Sequence, residues 1–238
     1  MNKRAKIYQS RLHLAVTFVL VVGPLLFLFF FSRLGNIATG SLLEDISFSL
    51  LRLIVAYFIA AFLGWLLAVA FYRGRRSNVA LPFFDVLQSF PTFALLPLVT
   101  LFWGTSNVTV VAFLVVTIIW PVLFSTISSL KLINKDWKES AEIYGLGGYD
   151  YFRFFLLPIS IPGVITGSVI GLGEGWEALV ATEIIIGIQS GLGGFFAFYS
   201  TNPTITAFGI LGLLLIIFSV NKLIWLPLME RGHELMEE

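Results

Sequence analysis

Residues 48–72 read FSLLRLIVAYFIAAFLGWLLAVAFY, a stretch in which Arg52 is the single charged residue. A helix needs about 20 apolar residues to cross a hydrocarbon core of about 30 Å. Because this stretch is longer than that requirement, it predicts a membrane-spanning α-helix over about 48–72.

The composition extends this prediction to the whole chain. Hydrophobic residues make up 58% of the 238 residues, charged residues make up 12%, and the mean hydropathy is +0.92. Soluble domains carry about 25% charged residues, so this composition could not cover a soluble core. The net charge of +1 attracts no polyanion, and the lack of cysteine excludes disulfides and thiol chemistry. The composition therefore excludes a soluble enzyme, a disordered tail and a nucleic-acid binder, and it predicts one all-α, polytopic domain over residues 1–238, embedded in membrane lipid.

Other long apolar stretches predict further crossings. We expect them at about 12–31, 92–103 (after an amphipathic segment, 81–90), 108–127, 154–188 and 205–226. The first is too long for the apolar part of a signal peptide, so we expect it to be retained. The stretch 154–188 would exceed the thickness of one bilayer at about 1.5 Å per residue. We therefore expect one crossing there with an irregular or re-entrant extension, because the stretch contains Pro158, Pro162, Gly171, Gly173 and Gly175. The total is six crossings, with five plus a re-entrant piece as the alternative.

The basic residues predict the orientation, because lysine and arginine accumulate in cytoplasmic loops. With six crossings, one side of the membrane receives Lys3, Arg4, Lys6, Arg11, Arg73, Arg75, Arg76, Lys131, Lys135, Lys138 and Arg153. The opposite side receives Arg33 and Arg52. We therefore expect both termini and the 131–153 loop to lie on the cytoplasmic side of the plasma (inner) membrane.

The longest polar stretch predicts a helical elbow. Residues 135–148 read KDWKESAEIYGLGG, in which Asp136 can cap a helix with Glu139 completing a capping box. A glycine at 145 or 147 can end the helix. We expect a helix over about 137–144 with Trp137, Ala141 and Tyr144 on one face, followed by a second short helix over about 149–157. From local chemistry alone this elbow is either a docking surface or an ordinary loop helix packed on its own bundle.

A family resemblance favours docking. Glu139-Ser140-Ala141, three residues, Gly145, nine residues and Phe155-Leu156-Leu157-Pro158 resemble the E-A-A-x3-G-x9-I-x-L-P signature of ABC importer permeases. In that family this segment is the coupling helix, which docks into a cleft of the cytoplasmic ATPase. The resemblance implies that coupling falls to Trp137, Glu139, Ser140, Ala141, Tyr144, Gly145, Leu157 and Pro158.

The resemblance extends over about 49–226, and this part of the sequence is similar to the permeases for nitrate, sulfonate, taurine and bicarbonate. It rests on 49–52 (SLLR), 90–104 with its FP, ALLPL and FWG motifs, Trp176, 179–183 (LVATE) and 190–193 (SGLG). It implies the membrane-spanning subunit of an importer for a small solute, such as an organic or inorganic anion. The implied partners are a second permease subunit (a homodimer), two ABC ATPase subunits and an extracytoplasmic solute-binding protein. The chain itself would be no enzyme, because the ATPase hydrolyses ATP, and the sequence contains no P-loop motif.

Four charged residues lie in or beside apolar stretches, and they are Arg52, Glu174, Glu177 and Glu183. Charged residues in such places usually face a partner or a water-filled cavity. Arg52 and Glu183 both fall near the outer ends of their crossings, so an ion pair is possible as a static lock or an outer gate. Glu174 and Glu177 lie about 60° apart on a continuous helix, whereas Glu183 lies about 180° from Glu174. Glu174 and Glu177 are therefore candidates for the translocation path or the seam between subunits.

A self-sufficient secondary carrier that relays protons through these glutamates is the rival hypothesis. It requires no ATPase and leaves the elbow motif unexplained. We expect no cofactor and no metal, because His13 and His233 lie at opposite ends of the chain without metal-ligand spacing.

Overall fold

The computed structural model describes the backbone of residues 3–230 and the side chains of residues 16–230. The described part is all-α and contains no β-strand. The basic side chains before residue 16, His13 and His233 lie outside the described residues. The helices are α1 (Lys3–Leu34), α2 (Thr39–Phe71), α3 (Gly74–Gln88), α4 (Leu96–Trp103), α5 (Asn107–Lys131), α6 (Lys135–Ile143), α7 (Gly148–Tyr151), α8 (Leu157–Ile186), α9 (Leu192–Phe198) and α10 (Pro203–Val220).

Within residues 3–230, five helical stretches are long and apolar enough to cross a membrane, and a sixth crossing results if one bent pair of helices forms a single span. The five are Val16–Leu34, Thr39–Phe71, Asn107–Lys131, Gly148–Ile186 and Pro203–Glu230. This architecture confirms the polytopic all-α fold and the expected range of five to six crossings.

The irregular crossing is the third one. Gly74–Gln88 and Thr92–Trp103 are bent by 75° relative to each other, and the second of these begins as a 3₁₀ turn at Thr92–Leu95. Pro91 has an extended backbone (φ −67°, ψ 92°) at the break. Its ring also drives the preceding residue, Phe90, away from the α region. The break therefore follows from the Phe90-Pro91 pair.

The expected irregular extension within 154–188 is wrong. Helix α8 runs without a break to Ile186, and with α7 and the π-helical turn Phe152–Leu156 it forms one helical stretch, Gly148–Ile186. Pro158 has no N–H to donate to the fourth residue before it. The π-helical turn lies directly before this proline, where the hydrogen-bond register must change.

The glycines of α8 form a packing seam and do not interrupt the helix. Gly163, Gly167 and Gly171 recur at every fourth residue and face α5. A Cβ atom on Gly167 would lie 2.5 Å from Val122 Cα, and one on Gly163 would lie 2.7 Å from Thr126 Cα. Small residues at this spacing let two membrane helices approach closely. The α5–α8 pair is consequently the tightest contact of the bundle.

Helix α5 occupies the centre of the bundle, between α2 and α8. Its residues Leu114, Ile118, Val122 and Leu123 are fully buried. Helix α1 lies outside this centre and packs on α10, where Phe31 stacks with Phe208. This arrangement leaves α2, α5 and α8 as the three helices that position the charged residues.

Candidate functional site

The structure brings Arg52 and Glu183 together. The Arg52 guanidinium on α2 donates to the Glu183 carboxylate on α8, and the exposed fractions of the two side chains are 4% and 0%. The pair lies at the end of α8 remote from α6. The charges neutralise each other in a region where an isolated charge would be strongly disfavoured.

Further donors complete the coordination of Glu183. Ser49 Oγ lies 2.9 Å from both carboxylate oxygens, and the backbone N–H of Gly193 donates to Oε2 at 2.8 Å. Ser49 lies one turn before Arg52 on the same helix, so both side chains point at the same carboxylate. Buried carboxylates are stable when their lone pairs are satisfied in this way.

Arg52 also reaches two other parts of the chain. Its Nε donates to Asn107 Oδ1 at 2.9 Å, at the beginning of α5. Its terminal nitrogens donate to Ser190 O at 3.0 Å and to Ser190 Oγ at 2.7 Å, in the turn after α8. One guanidinium therefore ties together α2, α5, α8 and the following turn. We call Ser49, Arg52, Asn107, Glu183 and the turn 190–193 the polar hub.

Gly191 allows the turn to pass over the hub. Its φ of +102° is accessible to glycine, and a Cβ there would lie 2.6 to 2.7 Å from Arg52 Nη1, Glu183 Oε1 and Ser49 Oγ. The Gly191 N–H donates to Asp45 Oδ1 at 2.9 Å, and the next N–H, that of Leu192, donates to Ser49 Oγ at 2.8 Å. The turn is therefore held by two side chains of α2, those of Asp45 and Ser49.

Asp45 and Asn107 are hub partners that sequence reasoning missed. Ser49 and the turn 190–193 were singled out through the resemblance, but no local pattern assigned them to Glu183. Asn107 lies 55 residues from Arg52, and Asp45 lies 146 residues from Gly191. No local sequence signal could have found these partners, because their meeting depends on how α2, α5 and α8 pack.

Glu174 and Glu177 occupy another face of α8. Both are exposed, whereas Glu183 is buried between the helices. Since α8 is continuous, the angular relation expected from the sequence applies, with Glu174 and Glu183 on opposite sides. The three glutamates thus form no single cluster. Their roles in a path, a seam or a gate stay predictions.

Helix α6 forms the elbow between α5 and α7, and its N-terminal cap differs from the expectation. Asn134 is the N-cap, and its side chain accepts a hydrogen bond from the Asp136 N–H at 3.3 Å. Asp136 lies within the first turn, where a carboxylate interacts favourably with the helix dipole. The expected cap at Asp136 and its capping box with Glu139 are wrong, because Asn134 provides the side-chain oxygen first. Glu139 instead pairs with Lys135 at 3.1 Å on the exposed surface.

Gly145 ends α6, as one of the two expected glycines. Its φ is +68°, its N–H donates to Glu142 O, and the N–H of Leu146 donates to Ala141 O, each at 2.9 Å. These two bonds define a Schellman motif, in which a left-handed residue satisfies the last helical carbonyls. Helix α6 therefore ends at Gly145, before α7 begins.

The expected coupling residues divide into an inner and an outer set. Ala141 is buried in a small core with Leu130 and Phe155, so it packs on the chain's own bundle. Trp137 and Tyr144 have exposed fractions of 38% and 84%. The remaining coupling residues are also exposed, and they are Glu139, Ser140, Gly145, Leu157 and Pro158. Trp137, Ala141 and Tyr144 were expected to share one face, but Ala141 is buried against the bundle whereas Trp137 and Tyr144 are exposed.

A cavity of about 560 to 620 Å³ lies beside each end of α8. The one at the elbow has a mostly apolar lining that includes Trp137 together with Ser125, Ser128 and Thr166. The one at the other end lies against the hub turn and exposes Asp45 among aromatic side chains. Among residues 16–230, no group of three metal-ligating side chains is close enough to hold a metal ion.

The sequence is similar to known families of membrane transport proteins. The family model for the inner membrane component of binding-protein-dependent transport systems matches residues 60–224. The nitrate import permease of Leptolyngbya laminosa is 33% identical over 191 residues, which cover 76% of this chain and 67% of the relative.

Two further relatives belong to different transport systems. The bicarbonate transport system permease of Synechococcus elongatus is 26% identical over 171 residues, covering 71% of this chain and 61% of the relative. The taurine transport system permease of Escherichia coli is 28% identical over 155 residues, covering 65% and 57%. The matches thus span about two thirds or less of each relative's length. The chain belongs to the family of binding-protein-dependent, ABC-type import permeases, within the group similar to the nitrate, bicarbonate, taurine and sulfonate systems.

Proposed function

We propose that this chain forms the translocation path for a small solute and couples it to a separate ATPase through α6. The exposed, Schellman-capped elbow between α5 and α8 is the observation that carries this proposal. Its aromatic ends, Trp137 and Tyr144, are accessible to a cytoplasmic partner. The same elbow carries the motif by which the sequence resembles the coupling helices of importers.

Packing supports a mechanical role for the elbow. Helix α6 follows α5 directly, and α7 leads without a break into α8. Because α5 and α8 are joined backbone to backbone along the glycine seam, a push on α6 would move both helices as one body. The hub at the far end would transmit that movement to α2 through Arg52 and Ser49. Binding of ATP by the partner would in this way change the side of the membrane to which the translocation path is open.

Glu174 and Glu177 support a path or a subunit seam along the exposed face of α8. Carboxylates at membrane depth are disfavoured against lipid, so a second copy of the chain or a water-filled path would cover them. An acidic wall repels a simple anion and favours a solute with a positive group. Taurine, which is named for one relative, carries an ammonium group beside its sulfonate. We therefore propose a zwitterionic or amine-bearing organic anion as the solute, delivered by an extracytoplasmic binding protein.

Co-purification tests the coupling. The chain is expressed with its ATPase and binding protein, and retention of the ATPase on the purified permease is measured beside ATP-driven uptake in vesicles. Glu139→Ala should weaken both, because Glu139 stands at the acidic contact position of the motif. The matched control is Glu142→Ala, an exposed acid on the same helix. Full ATPase retention and normal uptake with Glu139→Ala would count against the proposal.

Uptake tests the acidic face separately. Replacing Glu174 and Glu177 by glutamine should lower taurine uptake more than nitrate uptake, with Glu44→Gln as an exposed acidic control. Unchanged uptake of both solutes would remove these residues from the path.

The rival secondary carrier is the less favoured hypothesis. It predicts uptake driven by a proton gradient without any ATPase, which the same vesicles would reveal.

A further inference from the structure

The beginning of α3 carries an unusual concentration of positive charge. Arg73, Arg75 and Arg76 follow directly on the end of α2. Arg73 is engaged, because its guanidinium lies 5.3 Å from the ring centre of Tyr72 and 5.8 Å from that of Tyr151. Arg75 and Arg76 are exposed, and neither pairs with an acid among the side chains that the structure describes. Two cations are therefore available to a ligand.

An exposed apolar stripe continues from these arginines along α3. Val79, Phe83 and Val86 have exposed fractions of 71%, 60% and 69%. At 100° per residue, Arg75, Arg76 and these three side chains fall within a sector of about 100°. One side of the helix thus has a cationic beginning and an apolar continuation.

A groove of about 550 Å³ runs between this side of α3 and the end of α2. It is lined by Phe71, Arg75, Arg76, Val79, Ala80 and Phe83. The nearest acid on the helix is Asp85, whose Oδ1 accepts a hydrogen bond from Gln88 Nε2. Asp85 lies about 13 Å farther along the axis than Arg76. The groove is therefore positive at one end and apolar at the other.

We propose that this groove binds an anionic phospholipid of the cytoplasmic leaflet. Its phosphate would lie between Arg75 and Arg76, which can each offer a planar fork of donors. One acyl chain would follow Val79 and Phe83. Arginine clusters at the cytoplasmic end of a membrane helix favour anionic headgroups, and the distribution of basic residues predicts that this end lies on the cytoplasmic side. Neither Phe83 nor Val79 would then be exposed to water.

The lipid that stays bound to the purified protein tests the proposal. The chain is reconstituted in nanodiscs of equal parts phosphatidylglycerol and phosphatidylcholine and re-extracted in a neutral detergent. The retained lipids are then quantified by mass spectrometry. Wild-type protein should retain phosphatidylglycerol preferentially. The double variant Arg75→Gln/Arg76→Gln should lower that preference about 25-fold, because each basic residue near the headgroups contributes about fivefold. Val79→Ser/Phe83→Ser should also lower it, since the acyl chain loses its apolar floor.

The matched control is Lys131→Gln/Arg153→Gln, which removes the same charge from exposed positions outside the groove. This variant should retain the wild-type preference. An unchanged preference in the Arg75/Arg76 variant, or an equal loss in the control, would overturn the proposal. So would displacement of the lipid by millimolar inorganic phosphate, which would assign the arginines to a free anion. A shift in oligomeric state without a change in retained lipid would assign the groove to a second copy of the chain. Because retention is measured without ATPase or solute, it stands or falls independently of the proposed transport function.

Discussion

The guanidinium of Arg52 and the carboxylate of Glu183 pair inside the protein, 131 residues apart in sequence. Four segments of the chain meet at this pair, namely α2, α5, α8 and the turn 190–193. The net contribution of such a buried pair to stability is small, because both charges lose their hydration. Removal of one partner has a much larger effect, since the other charge stays buried without compensation. The pair therefore makes the packing of α2, α8 and the 190–193 turn interdependent.

Replacing Glu183 by glutamine should destabilise the protein by about 3 to 5 kcal/mol, the usual loss when one partner of a buried ion pair is removed. Thermal melting in detergent, followed by size-exclusion chromatography, measures the change. Glu174→Gln on the exposed face of the same helix is the control and should melt close to wild type. Equal melting of the two variants would show that the hub does not hold the bundle together.

Gly191→Ala should be far more damaging than Gly187→Ala. Both glycines have positive φ, but a Cβ at residue 187 meets nothing within 4 Å, whereas one at residue 191 meets three polar atoms of the hub. Gly187→Ala should therefore lose about 1 to 2 kcal/mol from the left-handed backbone alone. Gly191→Ala should add the loss of hub hydrogen bonds. The difference in melting temperature between the two variants is the measurement, and a zero difference contradicts the close fit over Arg52.

Gly167→Ala tests the seam between α5 and α8. The new methyl group would lie 2.6 Å from Pro121 O as well as against Val122 Cα, and backbone atoms cannot rotate away as a side chain can. Overpacking of this kind typically costs about 1 to 3 kcal/mol. Gly173→Ala, with open space around its Cβ, is the control and should be neutral or slightly stabilising, because alanine favours a helix. If both variants melt alike, the helices are less closely packed than the structure indicates.

Gly145→Val should impair ATPase coupling while leaving the membrane bundle intact. Valine at φ +68° is strained although the surrounding space is open, so the strain should distort the end of α6 and displace Tyr144. Gly147→Val is the control, since Gly147 has an extended backbone with φ −142° that valine adopts readily. We expect reduced ATPase retention for the first variant only, at unchanged melting temperature. Normal retention would argue that the elbow geometry is not used for docking.

The elbow shows how far local sequence reaches. Gly145 and the approximate bounds of α6 were predictable, because a left-handed helix end and its hydrogen bonds involve neighbouring residues. The cap was predicted at Asp136 and lies at Asn134, because both side chains are good caps and they lie two residues apart. The inward position of Ala141 was also missed, because it depends on the packing of Phe155 and Leu130 from other helices.

The glycines of α8 show a misinterpreted signal. Their four-residue spacing was visible in the sequence, and it indicates a helix–helix contact. The prediction instead rested on Gly171, Gly173 and Gly175 together with two prolines, which were interpreted as an interruption, so a continuous helix was expected to be irregular. The helix persists because the π-helical turn Phe152–Leu156 accommodates the missing N–H of Pro158. Pro162 lies inside α8, where neighbouring helices and local adjustments make a proline tolerable in a membrane helix.

Sequence alone determined that this chain crosses a membrane several times, that basic residues concentrate in particular loops, and that an importer-like elbow interrupts the apolar stretches. These properties are local, because bilayer thickness, charge and turn chemistry act on neighbouring residues. Tertiary structure alone decided which charges are buried together. Arg52 and Glu183 could have faced a path, lipid or each other, and the choice depends on how α2, α5 and α8 rotate about their axes. That rotation is set by the glycine seam and by the 190–193 turn, which bring the partners of Glu183 together from segments far apart in the chain.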